Sequence, residues 1–397
     1  MSSPTNHTRL TRRMHTLYAF FLLPGALLAA WITRTPAIRD TLGASLADMG
    51  LVLAGLSVGS MTGLLAGGPL IRRFDTRTVS CTGMTLVVAS MFTLALAAHL
   101  AVLPLAWLAL LLFGLGMGSA ELAINMEGAD VERLTGRIIL PTLHGCFSLG
   151  TVIGALASLG LMHWQVPVTP HLLTMGALGL IVLLLNLRGL PGGLGKETAD
   201  ADDAAGTGAR PLWREPVVLM IGAIALAMTL AEGSAYDWLP LLMADAYGTG
   251  ERTGTLVFLG FATTMAIGRL GSRFLLERMD RRRLMTLSLV AGAAGMAVVI
   301  TSNHLGMAVA GVILWGLGAS VAFPLALSAA AASGPNPNAR VKLVATGGYI
   351  ALLVGPPMLG FVANALGLRG AFTLVLALVL LAILALPAIA RGRGGAH

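Results

Sequence analysis

Glu121 lies inside a glycine-rich apolar run, four residues before Asn125, a spacing that puts both polar side chains on one helical face a turn apart. A charge in mid-membrane costs roughly 2.5 to 3.5 kcal/mol on insertion scales, so such a residue needs a partner or a task. A carboxyl that alternates between polar and apolar surroundings takes up and releases a proton, which is the chemistry of a coupling site. The plainer alternative is a structural carboxylate hydrogen-bonded to a neighbouring helix. Arg34, Glu232 and Asp237 also stand in apolar runs. Glu232 and Asp237 are five residues apart, about 140° on an ideal helix, so they are expected to have separate roles unless Gly233 or Pro240 distorts the backbone. His144 has no cysteine or carboxylate at ligand spacing, so no metal site is expected, and no cofactor. Packing through Gly145 and Gly150 is the expected role of its surroundings.

The elements that must hold these residues follow from composition. With 56% hydrophobic and 11% charged residues among 397, and a mean hydropathy of +0.83, the chain has too few polar groups to clothe a water-soluble globule. Backbone polar groups in lipid must be satisfied internally, so spanning segments are helices or closed barrels, and the continuous apolar runs here exclude the barrel. Twelve runs are long enough. The first six are 17–36, 46–71, 79–98, 103–124, 140–162 and 172–187; the second six are 217–243, 254–276, 284–301, 305–331, 341–365 and 371–390. The predicted fold is therefore an all-α polytopic membrane protein of twelve spans. It divides into a six-helix bundle over 1–187, a cytoplasmic linker over 188–215 and a second six-helix bundle over 216–397.

The net charge of +8 and pI near 10.4 would suit nucleic acid, but the basic residues are split among short loops. Topology accounts for them. With the N-terminus in the cytoplasm, most basic residues fall inside, Arg13, Arg72, Arg188, Arg281 and Arg340 among them, and only Arg34, Arg39, Arg252 and Arg369 fall outside. Cys81 and Cys146 lie within predicted spans and read as small buried hydrophobes. Ser45 and Asp48 have the spacing of a capping box at the start of the second span.

The two halves repeat. The segment 63–77 aligns with 268–282, sharing Gly, Leu, Arg and Asp at equal spacing, and Leu111-Leu-Phe-Gly-Leu-Gly116 aligns with Ile313-Leu-Trp-Gly-Leu-Gly318. Six spans plus six joined by a cytoplasmic linker is the arrangement of two bundles that rock about a central site. The loops carrying Arg73, Asp75 and Arg77, and Arg278, Asp280 and Arg282, resemble degenerate copies of the loop motif of the major facilitator superfamily. Their two readings are a conformational latch and topology-setting charge.

A closer resemblance runs the length of the chain. Trp31-Ile-Thr-Arg-Thr-Pro-Ala-Ile-Arg-Asp40, Glu121-Leu-Ala-Ile-Asn125, His144-Gly-Cys-Phe-Ser-Leu-Gly150, Glu232-Gly-Ser-Ala-Tyr-Asp-Trp238 and Phe323-Pro324 resemble the YbjJ-type branch of that superfamily, near the fucose permeases. The resemblance implies a proton-coupled carrier in which Glu121 is the titrating carboxylate and spans one, four, seven and ten line the cavity. Arg34, Asn125, Glu232, Asp237, Trp31 and Trp315 are then the cavity or gate candidates. Arg34 is expected to pair with Asp237 or Glu232 near the outer side, the alternative being that it snorkels to lipid headgroups.

Symport of a small polar, sugar-like solute is the function this implies. The alternatives are proton-coupled efflux of lipophilic compounds and a transporter-like receptor. The Gly-Pro-x-x-x-Gly pattern expected in span five of many exporters is missing at Gly154-Ala155 and appears instead at Gly355–Gly360 in span eleven. An enzyme is not expected, since neither HExxH nor GxSxG occurs, nor does a phosphate-binding Gly-rich loop ending in Lys-Ser/Thr. The expected partners are the solute, protons and the lipid bilayer of a bacterial inner membrane, with no nucleic acid, both termini cytoplasmic and the chain a monomer.

Overall fold

The computed structural model describes residues 4–136, 139–196 and 212–387. The core of the expected linker, 197–211, and the basic residues Arg137, Arg391 and Arg393 lie outside the described residues. The chain separates into two compact units, Met1–Ala204 and Ala205–His397. The first holds α1 (Pro4–Ile32), α2 (Thr35–Leu42), α3 (Leu46–Phe74), α4 (Thr76–Leu100), α5 (Leu103–Thr135), α6 (Leu140–His163) and α7 (Val168–Asn186). The second follows a single turn at Leu212–Arg214 with α8 (Pro216–Tyr247), α9 (Glu251–Arg278), α10 (Arg281–Thr301), α11 (Leu305–Ala331) and α12 (Pro337–Ile383).

Eleven helices among the described residues are long and apolar enough to cross a membrane. The last of these, 45 residues over Ala339–Ile383, would be about 68 Å long at 1.5 Å per residue against a hydrocarbon core of about 30 Å. It breaks at Gly367, where φ 74° and ψ 166° leave the helical region. The two expected spans 341–365 and 371–390 are thus joined by a bend at one residue, a conformation open to glycine because it lacks a Cβ. The first span also differs from expectation. It ends at Ile32, and Pro36 opens the short amphipathic helix α2 on the far side of a break at Thr33 and Arg34. Pro36 has no N–H for the Ile32 carbonyl four residues back, and its ring would clash with it in a continuous helix; the hydroxyls of Thr33 and Thr35 take up the carbonyls of Ala29 and Ile32 at 2.8 and 2.6 Å. Arg34 therefore stands at the break rather than within the span.

Close helix approach explains the repeated Gly-Leu-Gly. In unit 1, α5 packs on α3 and α4; in unit 2, α11 packs on α9 and α10. A methyl at Gly114 would collide with the Leu56 carbonyl of α3, and one at Gly116 with the Gly83 carbonyl of α4. At the matching positions Gly316 sits against Thr264 and Phe261 of α9, and Gly318 against Gly292 of α10. Each motif thus places one glycine on each neighbour, which is how helices without a hydrophobic driving force in lipid gain contact. Pairing of α1 with α6 works the same way through Gly25, Gly150 and Gly154, whereas Gly145 meets nothing. Large apolar side chains remain exposed on these helices, Leu65, Leu185, Leu270 and Leu366 among them, as befits helices that pack in lipid.

Candidate functional site

In unit 1, Glu121 is exposed in the middle of α5 and Asn125 is half-buried one turn on. Among the described residues neither side chain has a hydrogen-bond or ion-pair partner. Glu121 lies two turns before Gly128, which Leu140 and Leu143 of α6 approach closely, so this face of α5 turns toward α6 within the bundle. An accessible carboxylate without a protein counter-charge, far from either helix end, is an unusual tenant of a span.

Glu127 and Asp130 of the same helix, by contrast, are paired. Arg13 of α1 donates to Glu127 of α5 at 2.7 Å through Nε and reaches Asp130 at 2.8 Å through Nη1. Glu127 is fully buried and also accepts from the Thr76 hydroxyl at the start of α4. This network ties α1, α4 and α5 together. Arg34 is buried and donates to the Val166 carbonyl at 2.9 Å, closing the loop between α6 and α7 onto the end of α1. Beside it His171 of α7, also fully buried, places Nε2 3.2 Å from the Ala30 carbonyl and 3.4 Å from the Ser158 hydroxyl. Trp31 is buried edge-on to Phe113, ring centroids 6.5 Å apart.

The loop between α3 and α4 has a concrete task. Asp75 adopts φ 91°, caps α4 by accepting from the Thr78 N–H at 2.8 Å, and accepts from the Gly193 N–H at 2.9 Å. The Thr76 N–H donates to the Leu194 carbonyl at 3.0 Å, and Arg77 reaches the Leu187 carbonyl at 3.5 Å. The segment that follows α7 is thereby strapped to this loop. Burial alone would raise the Asp75 carboxyl, but the N–H groups of Thr78 and Gly193 and the nearby Lys196 charge outweigh it and hold the carboxyl below its ordinary value. Arg73 is exposed over the Phe74 ring. In the matching loop of unit 2, Asp280 caps α10 from the same register, accepting from the Arg283 N–H at 2.8 Å, while Arg278 lies over Phe274 and Arg282 is exposed.

In unit 2, Glu232 of α8 has a partner that sequence reasoning passed over. Arg269 of α9 binds its Oε1 at 2.5 Å and also donates from Nε to the Ser320 carbonyl of α11 at 3.4 Å. Arg269 reaches Glu232 from the adjacent helix of the same bundle. The signal for it was an arginine inside a predicted span, in the very segment used to align the repeat. Asp237 is half-buried and has no hydrogen-bond or ion-pair partner among the described residues. Trp315 is fully buried between Phe261 and Phe372, at 5.4 and 5.6 Å, and packing accounts for it.

A family profile described as Major Facilitator Superfamily matches residues 17–341 and again 238–394. An uncharacterised transporter of Sinorhizobium fredii is 30% identical over 385 residues, 95% of this chain and 98% of its own length. An uncharacterised MFS-type transporter of Yersinia pestis is also 30% identical, covering 95% of each chain. Among solved structures, a point mutant of the nucleoside transporter NupG aligns with a TM-score of 0.79 at 15% identity, over 95% of this chain and 99% of that one. A bacterial homologue of the lysosomal transporter Spinster aligns at 0.75 and 13% identity over the whole of both chains. These last likenesses show the fold alone.

Proposed function

This chain belongs to the major facilitator superfamily of transporters, and from that premise we propose that it is a proton-coupled symporter of a small polar, sugar-like solute, of the YbjJ-type branch, working by alternating access. In this reading it resides in a bacterial inner membrane with both termini in the cytoplasm and acts as a monomer. Glu121 carries the proposal. A mid-span carboxylate that is accessible and, among the described residues, bound to no cation has two ways to lower its cost, a proton or a ligand. Coupling follows if solute binding and protonation each favour the same conformation, since a ligand shifts an equilibrium only by its differential affinity for the two states. Asn125, one turn away, offers both a donor and an acceptor to a hydroxylated solute. That NupG carries nucleosides is in keeping with a polar cargo.

Ligand-induced stabilisation tests this directly. The detergent-purified protein is heated with sugars, polyols, amino acids, nucleosides and lipophilic cations at two pH values, as wild type and as Glu121→Gln. Binding to the folded state raises apparent stability by mass action. The expected result is a polar solute whose shift depends on pH in wild type and not in Glu121→Gln. Shifts from lipophilic cations alone would replace symport with the efflux reading.

A further inference from the structure

Glu232 and Arg269 form an ion pair well inside α8 and α9, where neither is near a helix end. The pair is accessible, Arg269 being 38% and Glu232 20% exposed. On α9 the exposed residues Leu256, Ile267, Leu270 and Phe274 form an apolar stripe centred about 135° from Arg269 at 100° per residue, and the exposed Leu276, two turns further toward the helix end, lies about 20° from it.

The pair is also unsaturated. A guanidinium has five N–H donors, and Arg269 uses one on Glu232 Oε1 and one on the Ser320 carbonyl. Glu232 Oε2 accepts no hydrogen bond from the described residues. One turn beyond Glu232, Tyr236 packs edge-on to Phe258 and Phe261, both at 5.8 Å, and its hydroxyl has no hydrogen-bond partner among the described residues. Spare donors on a cation thus stand beside a spare acceptor on an anion, with a phenol next to them.

We propose that Arg269 and Glu232 are the specificity pair of the C-terminal unit, selecting an uncharged solute that presents adjacent hydroxyl groups. One hydroxyl accepts from Arg269 and its neighbour donates to Glu232 Oε2, so both charges stay compensated while the solute is held. An acidic solute meets the Glu232 charge and a cationic one meets Arg269, and these repulsions reject them. The inference rests on the reading that the cargo is a small polar solute, and adds the residues that set its charge.

Matched trios of probes test it: neutral aldoses, the corresponding aldonic acids and the corresponding amino sugars, each titrated against the purified full chain by ligand-induced stabilisation. Wild type is expected to bind the neutral member of a trio. Arg269→Gln should weaken that binding about tenfold and admit the amino sugar, because Glu232 is left uncompensated. Glu232→Gln should weaken it similarly and admit the aldonic acid. The double variant Arg269→Gln, Glu232→Gln removes both charges together, serves if either single variant folds poorly, and should lose neutral binding without gaining a charged ligand. A purely structural pair would not produce this reversal of charge preference. Wild type and folded variants binding the same neutral sugar within twofold, with no charged probe admitted, would overturn the pair alone. No probe binding to wild type would overturn the small-polar-solute reading and this inference with it.

Discussion

Ion pairs differ in kind across this molecule. Arg13 and Glu127 are buried, with side chains 8% and 0% exposed, and the carboxylate is further held by Thr76. Removing one partner of such a pair leaves the other charge buried and unpaired, which costs about 3 to 5 kcal/mol. Arg13→Ala is therefore expected to lower the apparent Tm strongly, while Arg13→Met combined with Glu127→Leu recovers most of the loss; a single variant that melts within about 1 °C of wild type would contradict this. Arg269 and Glu232 are accessible, Glu121 and Asp237 have no ion-pair partner among the described residues, and these are the charges left for function. Glu121, Asn125, Glu232 and Asp237 were legible as residues because a charge or amide in an apolar run stands out in any sequence. Their partners were not. Arg13 and Glu127 are 114 positions apart, and Arg269 and Glu232 are 37. Periodicity says which face of a helix a residue occupies, whereas the partner depends on which helix lies opposite and at what height.

At the scale of elements, the α3–α4 loop shows how a motif can be visible while its work is not. Asp75 sits at φ 91° and ψ 164°, a region nearly reserved for glycine and costing on the order of 1 to 3 kcal/mol. The cap on Thr78 and the bond from Gly193 hold it there. Asp75→Ala should lose a cap worth about 1 kcal/mol and release the strap, so that trypsin cuts at the exposed Arg188 faster than in wild type. Asp75→Gly should relieve the backbone strain yet still release the strap; unchanged cleavage in both variants would refute the clasp. Because this carboxyl is held low, the clasp is at full strength at neutral pH. It weakens only as pH falls below the ordinary carboxylate value of about 3.9 toward the lowered folded value. Span positions were legible from hydropathy. The interruption between 365 and 371 was legible too, but not that a single residue, Gly367, makes the bend; the break at Thr33 and Arg34 was passed over, because the apolar run around it outweighed Thr33, Arg34, Thr35 and Pro36.

For the molecule as a whole, the internal repeat was the most informative feature of the sequence. Gly114 and Gly116 meet α3 and α4, and Gly316 and Gly318 meet α9 and α10, so one short pattern specifies the same packing in both units. Asp75 and Asp280 cap α4 and α10 from the same register. What departs from the repeat is where the two units differ chemically: among the described residues, α5 of one carries an exposed carboxylate with no partner at Glu121, and the other adds to its half-buried Asp237 an accessible ion pair between α8 and α9. That asymmetry suits a carrier in which one unit handles the proton and the other discriminates the solute. The most direct test of the central claim is solute accumulation in proteoliposomes under an imposed proton gradient, compared with gradient-free exchange of the same solute. Wild type should accumulate solute with the gradient and exchange it without one. Glu121→Gln should exchange at a rate within about twofold of wild type yet fail to accumulate, as expected when one proton-binding step is removed from the cycle. Accumulation by Glu121→Gln equal to wild type would contradict the account.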